Sequence, residues 1–172
     1  MNVNPSLLMN DSYYDGIASG YDQLHGEEQQ KKFLLIKERF LSHIDVEDIG
    51  RALDVGCGTA PYAAMIGFPV EGIDPSAGLL RRCPYRKKRV GNAEALPYPD
   101  HAFDLVFSLT AIQNFADIEK GLREMRRVGK EMFILSYLKR SEKAERIKQS
   151  IGQLFTVEER LEEDKDIILL CR

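Results

Sequence analysis

Apolar residues along this chain switch between two rhythms. From Glu27 to His43 they recur at helical spacing, with Phe33, Ile36, Phe40 and Ile44 on one face. Upstream, Tyr14, Ile17, Ala18 and Tyr21 repeat that period between Asp15 and Asp22, while residues 1–10 look loose. Beyond Gly50 the rhythm changes to short apolar runs bounded by glycine, proline or acidic residues. These predict strands at Ala52-Leu53-Asp54-Val55, at Val70–Ile73, around Val90, at Phe103–Ser108 and at Met132–Leu138. Helical patterns lie between them. A short helix is expected from Pro61 through Met65, because proline suits a first helical turn. Another follows Asp74-Pro75-Ser76. Asp117 caps a third, with Ile118, Leu122 and Met125 on one face and Gly129 as its C′ glycine behind Arg126 and Arg127. Ser141 opens a fourth, with Ala144, Ile147, Ile151 and Leu154 inward. Two last strands, Phe155–Leu161 and Ile167–Cys171, flank the polar turn Glu163-Asp164-Lys165-Asp166.

Size and composition bound this α/β reading. A chain of 172 residues is long enough for one domain with a sizeable core and short for two. A net charge of −3 does not announce a nucleic-acid binder, so such binding would need a local patch. Three cysteines, Cys57, Cys83 and Cys171, lack C-x-x-C spacing, which argues against a disulfide framework or a zinc site and fits a reducing compartment. No apolar run approaches membrane-spanning length and no secretory leader pattern is visible, so a cytoplasmic location is expected.

The stretch Leu53-Asp54-Val55-Gly56-Cys57-Gly58-Thr59-Ala60-Pro61 carries the candidate chemistry. It reads as strand, glycine turn and helix start. Gly56 and Gly58 lack Cβ, so they can take positive φ and let a ligand lie against bare backbone. A dinucleotide fingerprint would need a third glycine where Pro61 stands. Asp54 makes the lip of the turn acidic, which suits a ligand with a cationic amino group better than a pyrophosphate.

Leu53–Ala60 resembles the first motif of class I S-adenosylmethionine (SAM)-dependent methyltransferases, of the small type-11-like kind, with Ala60 where a third glycine is usual. The run Leu96-Pro97-Tyr98-Pro99-Asp100 with Phe103-Asp104 resembles the approach to that family's fourth strand. The resemblance covers nearly the whole chain. It implies a Rossmann-like α/β fold: a seven-stranded, mostly parallel sheet with an antiparallel C-terminal strand pair and helices on both faces. Residues 1–45 would form an N-terminal helical lid and residues 46–172 one compact SAM-binding core.

The resemblance also implies roles. Gly56, Cys57, Gly58 and Asp54 would line the cofactor. Asp74, with Pro75 beside it, lies about twenty residues beyond the first strand, where a carboxylate meets a ribose; the alternative is a helix N-cap, shared with Ser76. Asn92, Ala93 and Glu94 match the adenine turn, with Asn92 where aspartate is usual. Ser108 and Leu109 end the fourth strand. In the lid, Tyr14-Asp15-x-x-Ala18-x-x-Tyr21-Asp22 resembles the segment that closes over SAM, Tyr21 touching the cofactor and Tyr14 facing substrate; the alternative is aromatic packing. Thr110, Gln113 and Asn114 would face the acceptor.

The charges sort by rim. Arg81, Arg82, Arg86, Lys87, Lys88 and Arg89 are expected at the rim opposite the site, as a solvated face. Lys139, Arg140 and Lys143 follow the fifth strand on the active rim, where an anion-facing role competes with plain solvation. The acidic hairpin Glu158–Asp166 would repel phosphate. No general base and no metal site can be named. The nearly bare core, without an insertion after the fifth strand, suggests a large substrate, RNA such as tRNA or a protein, with an activator subunit completing the site. The alternatives are a small-molecule methyltransferase and a non-catalytic SAM-binding module.

Overall fold

A computed structural model describes residues 26–42 and 44–172. Seven strands, β1 (Ala52–Val55), β2 (Val70–Asp74), β3 (Lys87–Val90), β4 (Phe103–Ser108), β5 (Gly129–Leu138), β6 (Val157–Glu162) and β7 (Asp166–Cys171), form one sheet in the order β3-β2-β1-β4-β5-β7-β6. The first five run parallel; β7 pairs antiparallel with both β5 and β6. Chain order reverses between β1 and β4, so a crevice opens beyond their carboxyl ends, where ligands bind in such sheets. The helices are α1 (26–36, continuing as a π-helical turn at Lys37–Leu41), α2 (Ala77–Arg82), α3 (Ile118–Val128) and α4 (Ala144–Leu154).

Strand alternation divides the core in two. Leu53, Val55, Val106, Phe133, Leu135, Ile167 and Leu169 face α3 and α4, meeting Leu122, Met125, Ile147 and Ile151. Ala52, Leu105, Phe107, Ile134 and Ile168 face the other way, onto Phe33, Ile36 and Phe40 of α1 and Leu80 of α2. Helices therefore cover both faces, as the family resemblance implies.

Three local expectations change. No α-helix follows the glycine turn: Ala60 is left-handed (φ 44°) and the chain makes only a 3-10 turn at Ala63–Met65. Gly129 is extended (φ −87°) and starts β5 instead of forming a left-handed cap. Its need for hydrogen is steric, since a Cβ there would come within 2.4 Å of the Phe133 ring. The fourth helix begins at Ala144 with Lys143 at its N-cap, and Ser141 Oγ accepts from the Lys143 amide at 3.2 Å. The pattern at Tyr14–Asp22, with Tyr14 and Tyr21, lies outside the described residues.

One side chain fixes the loop that leads from β3 to β4. The Arg127 guanidinium, on α3, donates to the carbonyls of Leu96 (3.0 Å) and Tyr98 (2.8 Å) and to the carboxylates of Asp100 (2.8 Å) and Glu124 (2.7 Å). Glu124 in turn accepts from the Leu96 amide, and its carboxyl is held below the ordinary range chiefly by Arg127. Arg127→Ala should cost about 2 kcal/mol in urea unfolding, and Arg127→Lys should recover little of it, because an ammonium cannot fork to four acceptors in one plane.

Candidate cofactor site

The site begins with the backbone. Gly56 (φ 73°) and Gly58 (φ 54°) are left-handed, so the turn after β1 reverses without side-chain clashes. The amides of Gly56 and Cys57 both donate to the Ile73 carbonyl (2.8 and 3.2 Å), tying the turn to β2. At the end of β2, Asp74 Oδ2 accepts from the Gly58 amide and Oδ1 from the Ser76 amide, each at 2.8 Å. The capping alternative resolves at the same time: Ser76 is the N-cap of α2, its Oγ accepting from the Leu79 amide at 3.1 Å. Asp74 sits one step earlier and bridges two loops.

Asp54 and Cys57 point below the turn. Asp54 alternates with Leu53 and so shares the face of Ala52. Its Oδ2 accepts from the hydroxyls of Tyr62 (2.8 Å) and Tyr85 (2.9 Å); Oδ1 has no partner among the described residues. Burial pushes its carboxyl up to about 8, against the pull of the two hydroxyl donors. Cys57 packs with Cys83 and Tyr85 under β2, its thiol raised by its hydrogen bond with Cys83 and by burial.

The remaining residues spread along the rim. Asn92 is exposed, Pro75 half-buried and Ala93 buried at the turn after β3. Glu94 accepts from the Asp117 amide at 3.0 Å and so supports the start of α3. Ser108 and Leu109 are buried at the end of β4. Thr110 is left-handed (φ 56°), Gln113 half-buried and Asn114 exposed. Lys139 pairs with Glu162 at 3.3 Å, Lys143 donates to the Gln113 carbonyl at 2.8 Å, and Arg140 is exposed. The basic run is less remote than its sequence position implies. Lys87 pairs in register with Glu71 but Val90 with Asp74, so β3 carries it up the flank of the site.

A polar ligand fits this rim. Thr59 Oγ1, Ser108 Oγ and Gln113 Oε1 are buried without a partner among the described residues, near the ends of β1 and β4. With the bare turn and the Asp74 carboxylate they offer donors and acceptors to a nucleoside carrying an amino-acid tail.

Comparison with known proteins agrees. A family model described as a methyltransferase domain matches residues 53–133, the span from β1 into β5. The chain belongs to the class I SAM-dependent methyltransferases. Among relatives of this methyltransferase chain, a demethylmenaquinone methyltransferase of Geobacillus kaustophilus is 30% identical over 132 residues, 68% of this chain and 56% of that protein. The chain thus spans about half the length of the curated relatives it matches. A SAM-dependent methyltransferase from Aquifex aeolicus shares the fold at TM-score 0.72 and 16% identity, over 91% of this chain and 97% of that one. A complex between the Haloferax volcanii Trm112 methyltransferase activator and a methyltransferase matches at TM-score 0.72 and 16% identity, over 92% of this chain and 96% of that one. Among the described residues no helix is long and apolar enough to cross a membrane, and no three metal-ligating side chains cluster.

Sequence reasoning missed three side chains of this rim. Lys32, Ser136 and Asp166 are fully buried and meet at Thr110. Lys32 carried a signal, since it lies four residues before Ile36 and hence on the buried stripe of α1.

Asp54 gives a pH prediction. In the folded protein its carboxyl keeps its proton up to about pH 8, whereas the unfolded chain ionises it near 3.8. Between those values the folded state holds more protons, so raising pH favours unfolding. The stability present at low pH is lost as pH rises through about 8. Urea midpoints of the wild type should fall between pH 5 and 8, and Asp54→Asn should flatten that slope.

Proposed function

We propose that this chain is a SAM-dependent methyltransferase with an open site, acting on a large acceptor, RNA such as tRNA or a protein, with an activator subunit completing the acceptor side. One observation carries the reading. Between β5 and α4 the chain spends only residues 139–143, so no inserted element walls the rim where an acceptor would lie. A small substrate needs a concave, mostly apolar pocket for burial. The Haloferax volcanii fold neighbour, a complex with an activator, supports the partner.

When bound, SAM supplies an electrophilic methyl group for in-line displacement. The protein's part is alignment, which can provide much of the rate. Gly56, Gly58 and Cys57 offer backbone to the cofactor. Asp74, a carboxylate at the end of β2 beside the glycine turn, is the acceptor for ribose hydroxyls. Asn92, Ala93 and Glu94 frame the adenine, Ser108 and Leu109 the sulfonium side, and Tyr21 of the 1–45 lid covers it. Tyr14, Gln113, Asn114, Lys139 and Arg140 face the acceptor, while the Thr110 side chain turns back onto Lys32 and Asp166. The segment after β4 is neutral, so the acceptor atom either is already nucleophilic or loses its proton to a group outside it.

A second reading, a small-molecule acceptor, is favoured by the Geobacillus kaustophilus relative, whose name specifies a quinone precursor. Tritium transfer from labelled SAM into the RNA, protein and lipid-soluble fractions of a cell extract separates the two. Label in RNA or protein supports the first reading, and label confined to small molecules supports the second. Tight SAM binding without transfer to any fraction indicates a binding-only module. Calorimetry checks the ribose role: Asp74→Ala should weaken SAM by about 1.5–3 kcal/mol, and unchanged affinity would remove Asp74 from the site.

A further inference from the structure

Lys32 on α1 and Asp166 at the start of β7 are both fully buried, and their ion pair closes at 2.8 Å. A buried ion pair adds little stability over apolar groups of the same shape, so stability alone does not account for it. Thr110 sits between the two. Its Oγ1 donates to Asp166 Oδ1 at 2.9 Å and accepts from the Lys32 ammonium, while its amide donates to Ser136 Oγ at 2.8 Å. Lys32 is steadied by Gln29 Oε1 at 3.3 Å. All this polar contact converges on a β-branched residue with φ 56°, a conformation such residues rarely adopt.

The strain has a neighbour that uses it. Ala111 rests on the glycine turn so closely that a Cβ at Gly56 would come within 2.5 Å of its methyl. On the other side, the Thr110 carbonyl accepts from Gln113 Nε2 at 2.6 Å. The backbone at Thr110 therefore sets both the seat of Ala111 on the cofactor turn and the direction of the segment through Asn114.

We propose that Lys32 and Asp166 are positioning residues for methyl transfer: their ion pair holds Thr110 left-handed and so seats the segment after β4 against the glycine turn. The proposal rests on reading that turn as the cofactor site. Neither residue reacts; both act through Thr110.

Two substitutions at Thr110 separate backbone pose from lost hydrogen bonds. Thr110→Ala and Thr110→Gly both delete the hydroxyl, but only glycine accepts positive φ without strain. With S-adenosylhomocysteine as the calorimetric probe, Thr110→Ala should bind about fivefold more weakly and exchange amide hydrogens at residues 109–114 about tenfold faster, while Thr110→Gly stays within about twofold of wild type in affinity. Lys32→Met and Asp166→Asn should both behave like Thr110→Ala. Adding Thr110→Gly to Lys32→Met should restore affinity, a rescue that a merely structural ion pair would not show. Equal behaviour of the alanine and glycine variants overturns the proposal, as does unchanged exchange at 109–114 in Lys32→Met or, should that variant not fold, in Asp166→Asn. Exchange is also read without ligand. A wild type that fails to bind the probe removes the cofactor reading, yet the exchange comparison still decides the role of the pair.

Discussion

Two backbone amides on one carboxylate hold the site together. Gly58, in the turn after β1, and Ser76, at the start of α2, each donate to Asp74 at 2.8 Å. Neither loop has a regular partner for those amides, and buried amides without partners are costly. Asp74 supplies one acceptor to each from the end of the intervening strand. The glycines then do what only glycine does cheaply, taking φ of 73° and 54° so that the turn folds back over β2. Parallel pairing of β1 with β2 places the two strand ends side by side, Val55 against Ile73. Sheet register thus sets the geometry of the glycine turn and of the carboxylate beside it.

The carboxyls nearby share one face of the sheet by register, yet each meets different partners. Asp74 is met by amides. Asp54 faces inward, where burial keeps it protonated above the ordinary carboxylate range and two tyrosine hydroxyls meet one of its oxygens. Asp166, at the far end of the rim, is met by a buried ammonium. Together they support the rim from below, from beside and from the cover helix. The segment after β4 that would face an acceptor is neutral, which fits an enzyme that works mainly by alignment.

Much of this was legible in the chain. The strand positions, the caps at Ser76 and Asp117 and the glycine turn follow from local pattern, because local chemistry decides them. The seven-stranded sheet with its antiparallel closing pair came from resemblance, and the strand order came only from the structure, since crossovers leave little local trace. What escaped depended on tertiary contact. Asp54 read as the acidic lip of the turn, although its parity with Ala52 already pointed it at the opposite layer; the tyrosines that receive it, Tyr62 and Tyr85, lie eight and 31 residues away. Lys32 was passed over, although its spacing from Ile36 placed it in the core. Asp166 read as part of a polar turn, yet it shares a strand face with Ile168. Gly129 read as a cap when its constraint was the Phe133 ring.

The central claim is that the Asp74-braced glycine turn receives the adenosyl cofactor. Backbone amide shifts on titration with S-adenosylhomocysteine test it most directly. The account predicts that Gly56, Gly58 and Ser76 move together and furthest, with Asn92 and Ala93 following. Shifts confined to the β3 edge from Arg86 to Val90, with Gly58 and Ser76 still, would contradict it.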